Sequence, residues 1–371
     1  MKILVIPDSF KGSLSSVRVC EIAREILTGC LAGAEVKTMP LADGGEGTLD
    51  CILSAVKGER VAVTVQGPLG NPVRAELGFL SGGRAAVIEA AQAVGLPLAG
   101  KELKPMEAGT GGLGQMIRAA RAHGATEIVA ALGGTCTNDC GAGMLSALGV
   151  RFLSDGKPFV PCGGTLAGVR EIQLSQEFLS LYEGVSFRVL CDVRNPLYGK
   201  NGAAAVFAPQ KGADAEQVGL LDEGMRRFAA LVARQLGRDC AEEPGAGAAG
   251  GLGFAFRAFL NAELVSGVEE ILKLYRFSEI QENYDLIITG EGCFDRQSLM
   301  GKAVGGVLSR AKRPAAVLCG KYRPFEGRPV SLKYILELSG GQSDGYAMAH
   351  AEENLRACLK RFCQEELKHE F

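Results

Sequence analysis

Histidine is almost missing from this chain. There are three in 371 residues, His123, His350 and His369, and none sits in a glycine loop. That scarcity counts against acyl transfer, where a serine or cysteine nucleophile needs a positioned imidazole to take its proton. Gly341-Gln-Ser-Asp-Gly345 spells a nucleophile elbow after the strand-like Tyr334–Leu338. A hydrolase of that kind needs a later acid and then a histidine, and the short remainder reads mostly as one helix. An excess of one charge is lacking too: 40 Lys and Arg face 42 Asp and Glu, a net charge of −2. Nothing in that balance calls for nucleic acid or an anionic membrane as partner. Long apolar runs are absent as well, none approaching the roughly 18 residues of a membrane span. The opening Met1-Lys-Ile-Leu-Val-Ile-Pro-Asp8 is too short for a secretory h-region.

Cysteine is not scarce, and with no secretory signal the 12 cysteines read as reduced thiols of a cytoplasmic protein. Cys136-Thr-Asn-Asp-Cys140 lacks the second pair or nearby histidine of a zinc site, so small buried thiols are the better account. Glycine is the outlier in the other direction: 51 residues, clustered after apolar strands, where backbone turns with positive φ or approaches a ligand. A composition 47% hydrophobic and 22% charged is that of an ordinary globular protein, and the length suits two α/β domains.

The chain begins βαβα. Strand Lys2–Ile6 leads to the loop Pro7–Ser13 and a helix from Ser15 or Ser16 to about Leu31, with Val17, Cys20, Ile22, Ile26 and Leu27 as its buried stripe. Strand Glu35–Met39 leads to Leu41-Ala-Asp-Gly-Gly-Glu-Gly-Thr48 and a helix to Val56. Arg60–Gln66 and Val73–Leu80 flank Gly67-Pro-Leu-Gly-Asn-Pro72 and read as a hairpin. Glu127–Leu132, Phe187–Val193 and Ala203–Phe207 read as strands, and Ala215–Leu236 as a long helix. From Asp285 onward buried strands and crossover helices resume. The expected architecture is α/β: a doubly wound domain from 1–65 and 285–371, and an inserted mixed α/β domain with hairpins from 66–284.

The segment Asp285–Lys302 holds the most chemistry. Leu286–Thr289 reads as a buried strand, Gly290 and Gly292 bracket Glu291, Asp295 and Ser298 follow, and Gly301-Lys302 opens a helical pattern. A strand feeding a glycine loop and a helix N-terminus is where open α/β sheets bind phosphorylated ligands. Two carboxylates and a lysine in that loop suit a metal–phosphate site. This is no P-loop: Ala303 stands where Walker A requires Ser or Thr. Gly109–Gly114 and Gly245–Gly250 both spell G-x-G-x-x-G, but neither follows an apolar strand, so a nicotinamide fingerprint is disfavoured and close packing favoured.

Four more carboxylate or glycine loops end strands: Asp8-Ser-Phe-Lys11, Asp43-Gly-Gly-Glu-Gly47, Gly133–Asp139 and Asp192-Val-Arg-Asn-Pro196. Singly, each is explained as well by turn and cap chemistry. Together they supply what phosphoryl transfer needs: oxygen ligands for Mg²⁺, cations for phosphate charge, backbone N–H groups and a carboxylate for the acceptor's proton. Lys211, in Pro209-Gln-Lys-Gly212, reads equally as a phosphate contact or a solvated loop lysine.

With these residues in hand, the chain resembles the bacterial glycerate kinase family (type I glycerate 2-kinases) over nearly its whole length. The resemblance is carried by Pro7–Ser15, Ala42–Thr48, Gly67–Gly70, Thr137–Asp139, Gly141–Met144, Cys191–Val193, Asn195–Leu197, Pro209–Gly212, Gly245–Gly251 and Thr289–Gly292, with Asp295, Gln297-Ser298 and Gly301-Lys302. Cys136, Cys140, the Glu107-Ala108 pair and Val304 depart from the family's usual residues. The resemblance implies ATP- and Mg²⁺-dependent phosphorylation of D-glycerate on two α/β domains, one of them flavodoxin-like, in a cleft between them, with the 2-hydroxyl favoured over the 3-hydroxyl. It also makes Gly245–Gly251 a candidate site wall. On that footing Asp192 is expected nearest the acceptor hydroxyl. Glu291 and Asp295 are expected to hold Mg²⁺, and Lys302 and Lys11 to neutralise phosphate or carboxylate charge. Asp8, Ser9, Asp43, Gly44, Gly45, Glu46, Asn138, Asp139, Asn195, Lys211, Gly290, Gly292 and Ser298 complete the expected binding set. Whether Asp192 or Asp295 takes the proton stays open. So do a kinase for another small hydroxy acid and a non-catalytic nucleotide or metabolite sensor.

Overall fold

The computed structural model describes residues 1–299 and 302–367. Gly301 of the Gly301-Lys302 pair and His369 lie outside the described residues. The chain forms two compact α/β units: Met1–Asp43, Asp50–Val56 and Ser266–Phe371 in the first, Gly44–Leu49 and Lys57–Val265 in the second. Strand Gly58–Gln66 belongs to the second unit's sheet, and Gly267–Leu274 to the first unit, where Val268, Ile271 and Leu272 pack with Val304 and Val307.

The first unit is built on five parallel strands ordered Leu332–Glu337, Ala315–Tyr322, Leu286–Phe294, Lys2–Val5, Glu35–Thr38. Numbered along the unit this is 2-1-3-4-5, the flavodoxin-like order. Both faces are covered at the three central strands, which is why Lys2–Val5, Leu286–Phe294 and Ala315–Tyr322 are largely buried and begin as apolar runs, while the edge strands Glu35–Thr38 and Leu332–Glu337 mix charged and apolar residues. Ile3 and Val5 point into one cluster with Ile22, Ile26, Leu355 and Leu359; Leu4 and Ile6 point into the other with Ile271, Val304 and Val307. The alternation is the period of two of a strand. Helix Ser16–Cys30 is capped by Ser15, whose hydroxyl accepts from the Arg18 amide at 3.2 Å. Its buried stripe takes in Val19, with Val17 only half-buried.

Two expectations are corrected. Strand Leu286–Phe294 does not stop at Thr289; it carries Gly290, Glu291 and Cys293 in register with Leu318, Cys319 and Lys321 of the next strand. A Cβ on Gly290 would lie 2.6 Å from the Leu318 carbonyl oxygen, so this glycine serves close strand approach and not a turn. Ala203–Phe207 is a helix, not a strand. Five apolar residues carry no readable period, and three alanines favour the helix.

The second unit has a six-stranded sheet ordered Glu263–Val265, Ser186–Leu190, Glu127–Ala131, Ala85–Glu89, Pro72–Leu80, Gly58–Gln66. The first four strands are parallel; the last two form the expected hairpin, closed at Gln66 opposite Pro72. A three-stranded antiparallel sheet (Val150–Ser154, Lys157–Phe159, Glu171–Leu174) completes it. The long helix Ala215–Leu236 starts at a capping box between Asp214 and Gln217. Among the described residues no helix is long and apolar enough to cross a membrane.

Candidate active site

In the first unit, the order of the strands reverses between Lys2–Val5 and Leu286–Phe294. Crevices at the carboxyl ends of strands flanking such a point are where open α/β sheets take ligands. The Asp8 amide donates to the Gly290 carbonyl at 2.8 Å, and the Thr289 hydroxyl to the Ile6 carbonyl at 2.9 Å, tying the two strand ends together. A cavity of about 390 Å³ opens there. Asp8, Ser9, Lys11, Asp43, Glu291, Gly292 and Lys302, all named from sequence, line it.

Three carboxylates share this wall. Asp8 is 6% exposed, and its Oδ1 accepts from the Ser9 amide at 2.6 Å. Burial, and then the Asp43 charge, push its carboxyl up to about 8, against the pull of the Ser9 N–H and of Lys11. Glu291 is pushed up to about 7, again chiefly by burial. Its Oε1 is buried and has no hydrogen-bond partner among the described residues. Asp43 Oδ2 accepts from Lys11 Nζ at 3.1 Å. Such a wall holds more potential negative charge than its protein partners neutralise, and a bound cation would draw both carboxyls back toward their ionised forms.

Among the described residues no three His, Cys, Asp or Glu side chains could hold a metal by themselves. The orphaned Glu291 oxygen nevertheless fits Mg²⁺, which is ordinarily held by one or two carboxylates with phosphate oxygens and water. Asp295 is committed differently. Its Oδ1 accepts from the Gln297 amide at 2.8 Å and the Ser298 amide at 3.3 Å, capping the short turn Arg296–Leu299. The buried Ser298 hydroxyl accepts from the Asp295 amide at 3.0 Å and donates to the Cys293 carbonyl at 3.3 Å.

The remaining candidates lie in the second unit. Gly44 and Gly45 form a tight loop: the Gly133 amide donates to the Gly44 carbonyl, and a Cβ on Gly133 would sit 2.6 Å from Gly45 Cα. Glu46 is exposed. Asp139 is fully buried and accepts four hydrogen bonds, from Thr110 N and Oγ1, Gly141 N and Gly143 N, at 2.8–3.1 Å. It thereby joins the starts of helices Gly111–Ala122 and Ala142–Ala147. Asn138 Nδ2 reaches the Pro105 carbonyl at 3.5 Å, while its Oδ1 and the Thr135 and Thr137 hydroxyls are buried without a partner among the described residues. Lys211, 3% exposed, donates to the Thr137 carbonyl at 2.7 Å, and burial pulls its ammonium down to about 8. It is not the solvated loop lysine its surroundings in sequence allowed. Asp192 follows strand Ser186–Leu190 and is half-buried; Asn195 donates to the Asn201 carbonyl at 2.8 Å. Both G-x-G-x-x-G runs are packing devices: a Cβ on Gly112 would strike the Gln66 carbonyl, and one on Gly250 the Thr137 carbonyl.

Lys321 and Arg323 also line the cavity, as do Asp344 and Met348, and none was singled out from sequence. The signal for the first was present, a Gly320-Lys321 step after the apolar Ala315–Cys319. Glu89 was missed too: buried at the end of a parallel strand, it accepts from the Leu49 amide at 2.6 Å.

A flavodoxin-like sheet with carboxylates and lysines gathered at its switch point is the arrangement of an α/β protein that handles phosphorylated ligands. Comparison with known proteins is more particular. The family described as the glycerate kinase family matches residues 3–365. A glycerate kinase of Halalkalibacterium halodurans is 42% identical over 313 residues, 84% of this chain and 82% of that protein. The glycerate 2-kinase of Escherichia coli is 40% identical over 315 residues, with the same coverage. A crystal structure of a protein assigned as glycerate kinase 2 from Salmonella typhimurium superposes with a TM-score of 0.82 at 36% identity, covering 100% of this chain and 98% of that one. The chain belongs to the glycerate kinase family.

Proposed function

We propose that the protein transfers the γ-phosphoryl group of ATP to a hydroxyl of D-glycerate, with Mg²⁺ as the accompanying cation. The observation that carries this reading is the first unit's cavity, where Lys11 and Lys302 stand among Asp8, Asp43 and Glu291 at the sheet's switch point. Phosphoryl transfer asks a protein mainly for position and charge, and this wall offers both. Lys302, Lys11, Lys321 and Arg323 would draw the phosphate oxygens, with Ser9 and the Gly292 backbone beside them. Glu291 would hold Mg²⁺, together with phosphate oxygens and water; Asp295 is the second carboxylate for that role. The ion supplies neutralisation of charge developing on the phosphate oxygens.

In the second unit Asp192 is proposed to orient the acceptor hydroxyl or take its proton. Asn138, whose Oδ1 is unpartnered, and Lys211 would support the substrate's polar groups. Asp139 acts through the loops it joins. The relative named glycerate 2-kinase favours the 2-hydroxyl, and so 2-phosphoglycerate over 3-phosphoglycerate. An ADP-release assay with glycerate and a panel of small hydroxy acids tests the reaction, and phosphorus NMR of the product identifies the hydroxyl. Turnover with a different hydroxy acid and none with glycerate would move the substrate assignment; ATP binding without turnover on any acceptor would sink the kinase reading.

A further inference from the structure

The first unit's cavity is lined by two kinds of surface. Loops that follow the strands bring carboxylates and lysines. The C-terminal segment brings Leu338, Ala347, Met348 and Ala351, which are apolar. Helix Asp344–Ala349 buries none of its own residues, so it gains little from core packing. Met348 is nevertheless left 47% exposed on the cavity, with its Cε against Gly12. The helix is tethered at its start by Asp344 Oδ1, which pairs with Lys321 Nζ at 2.9 Å. Leu338 belongs to the core, but the surface of Ala347, Met348 and Ala351 is partly open and stands next to a charged tether, and so is available to a ligand.

Several polar side chains around this surface already have protein partners. Asn354 and Gln342 exchange amide hydrogen bonds at 2.9 and 3.5 Å. The Ser339 hydroxyl donates to Glu337 Oε1 at 2.9 Å. What the segment offers is therefore contact area, with few groups free to read a hydrogen-bonding edge. Apolar surface of this kind discriminates between ligands by roughly 10–200-fold, whereas a site built to hydrogen-bond a particular edge reaches about 10⁴ or more.

We propose that Ala347, Met348 and Ala351 seat the nucleobase of the donor nucleotide by apolar contact and leave its Watson–Crick edge largely unread. This rests on the reading of the cavity as the site of the donor triphosphate. The neighbouring Lys321 and Arg323 then serve the phosphates, and donor choice falls on the triphosphate more than on the base. The thioether of Met348 suits the task, because it is flexible and polarizable and adapts to rings of different outline.

The test uses the full chain with Mg²⁺, calorimetric titration of ATP and of inorganic tripolyphosphate, and rates with ATP, GTP, CTP and UTP. Ala347→Trp fills the seat and Met348→Ala removes its surface group; Met348 is exposed enough that its truncation spares the fold. Expected is an ATP Kd raised about tenfold in the filled variant and about threefold in the truncated one. Tripolyphosphate affinity should hold within about twofold, and kcat/KM should differ by less than about a hundredfold among the four nucleotides. Unchanged ATP affinity in both variants, or a preference for ATP above about 10⁴-fold, overturns the seat. Lys302→Ala separates this from its premise. If that variant weakens ATP and tripolyphosphate together while the seat variants do nothing, only the seat falls. If it weakens neither, the cavity is not the donor's site and both readings fall.

Discussion

Lys11 Nζ lies 3.1 Å from Asp43 Oδ2, with the lysine side chain 71% exposed and the aspartate 21%. An ion pair open to water on one side contributes little to folding, about 0–1 kcal/mol. Its value lies in holding a cation over the cavity. Lys11→Met should leave the melting temperature nearly unchanged while lowering kcat/KM for ATP by about 10²-fold. A matched loss of stability and activity would make Lys11 structural.

The raised carboxyls at Asp8 and Glu291 give the ligand-free protein a pH dependence of definite sign. Their folded-state values, about 8 and about 7, lie above the ordinary 3.8 and 4.5. Between those limits the native state binds more protons than the unfolded chain, so stability falls as pH rises from the ordinary carboxylate range toward 8. Thermal melts from pH 5 to about 8.5 should therefore show a decline, flatter in Asp8→Asn. Nucleotide with Mg²⁺ should reverse part of it. A wild-type profile rising through that window would contradict the buried state of these carboxyls.

Asp139 and Asp192 look alike in sequence, each beside a glycine-rich or turn segment, and should fail differently. Asp139→Ala strands the Thr110, Gly141 and Gly143 amides in a buried place, a loss on the order of 3–5 kcal/mol by urea unfolding. Asp192→Asn should keep the unfolding midpoint and ATP affinity but lower turnover by about 10²–10⁴-fold. Retained turnover in the second variant would pass the proton-accepting role to Asp295.

Magnesium dependence separates the two acidic residues of the Leu286–Leu299 segment. Glu291→Gln keeps the shape of the side chain and removes its charge, so half-maximal activity should need about tenfold more Mg²⁺. Asp295→Ala, which removes the cap of the Arg296–Leu299 turn, should instead lower stability by about 1 kcal/mol with a smaller change in Mg²⁺ requirement. The opposite ranking in a Mg²⁺ titration would make Asp295 the principal ligand.

Much of the fold was legible because burial on both faces of a parallel sheet writes itself as unbroken apolar runs. Lys2–Val5 and Leu286–Phe294 could be found that way, and so could the charged residues that follow them. The hairpin at Gln66 and Pro72 was legible from its glycine and proline turn. Ala203–Phe207 was not, since so short an apolar run has no period. The end of the Leu286–Phe294 strand was hidden by glycines that look like a loop; the Leu318 carbonyl beside Gly290 explains the first of them. Met348 was illegible for a different reason: a methionine in a helical pattern reads as core until the helix proves to have none.

From sequence alone came the chemical inventory: which loops end strands, which carry carboxylates and lysines, and the family these segments resemble. Chain order cannot say which loops meet. The pairing of Val5 with Ile288, between strands far apart in the chain, sets Asp8 and Lys11 beside Glu291 at one switch point. Burial, equally a property of the folded sheet, then raises the Asp8 and Glu291 carboxyls, and the same fold lets Asp139 fasten two helix starts and turns Met348 toward a cavity. Proximity and desolvation depend on the whole assembly of strands, and so belong to the tertiary structure.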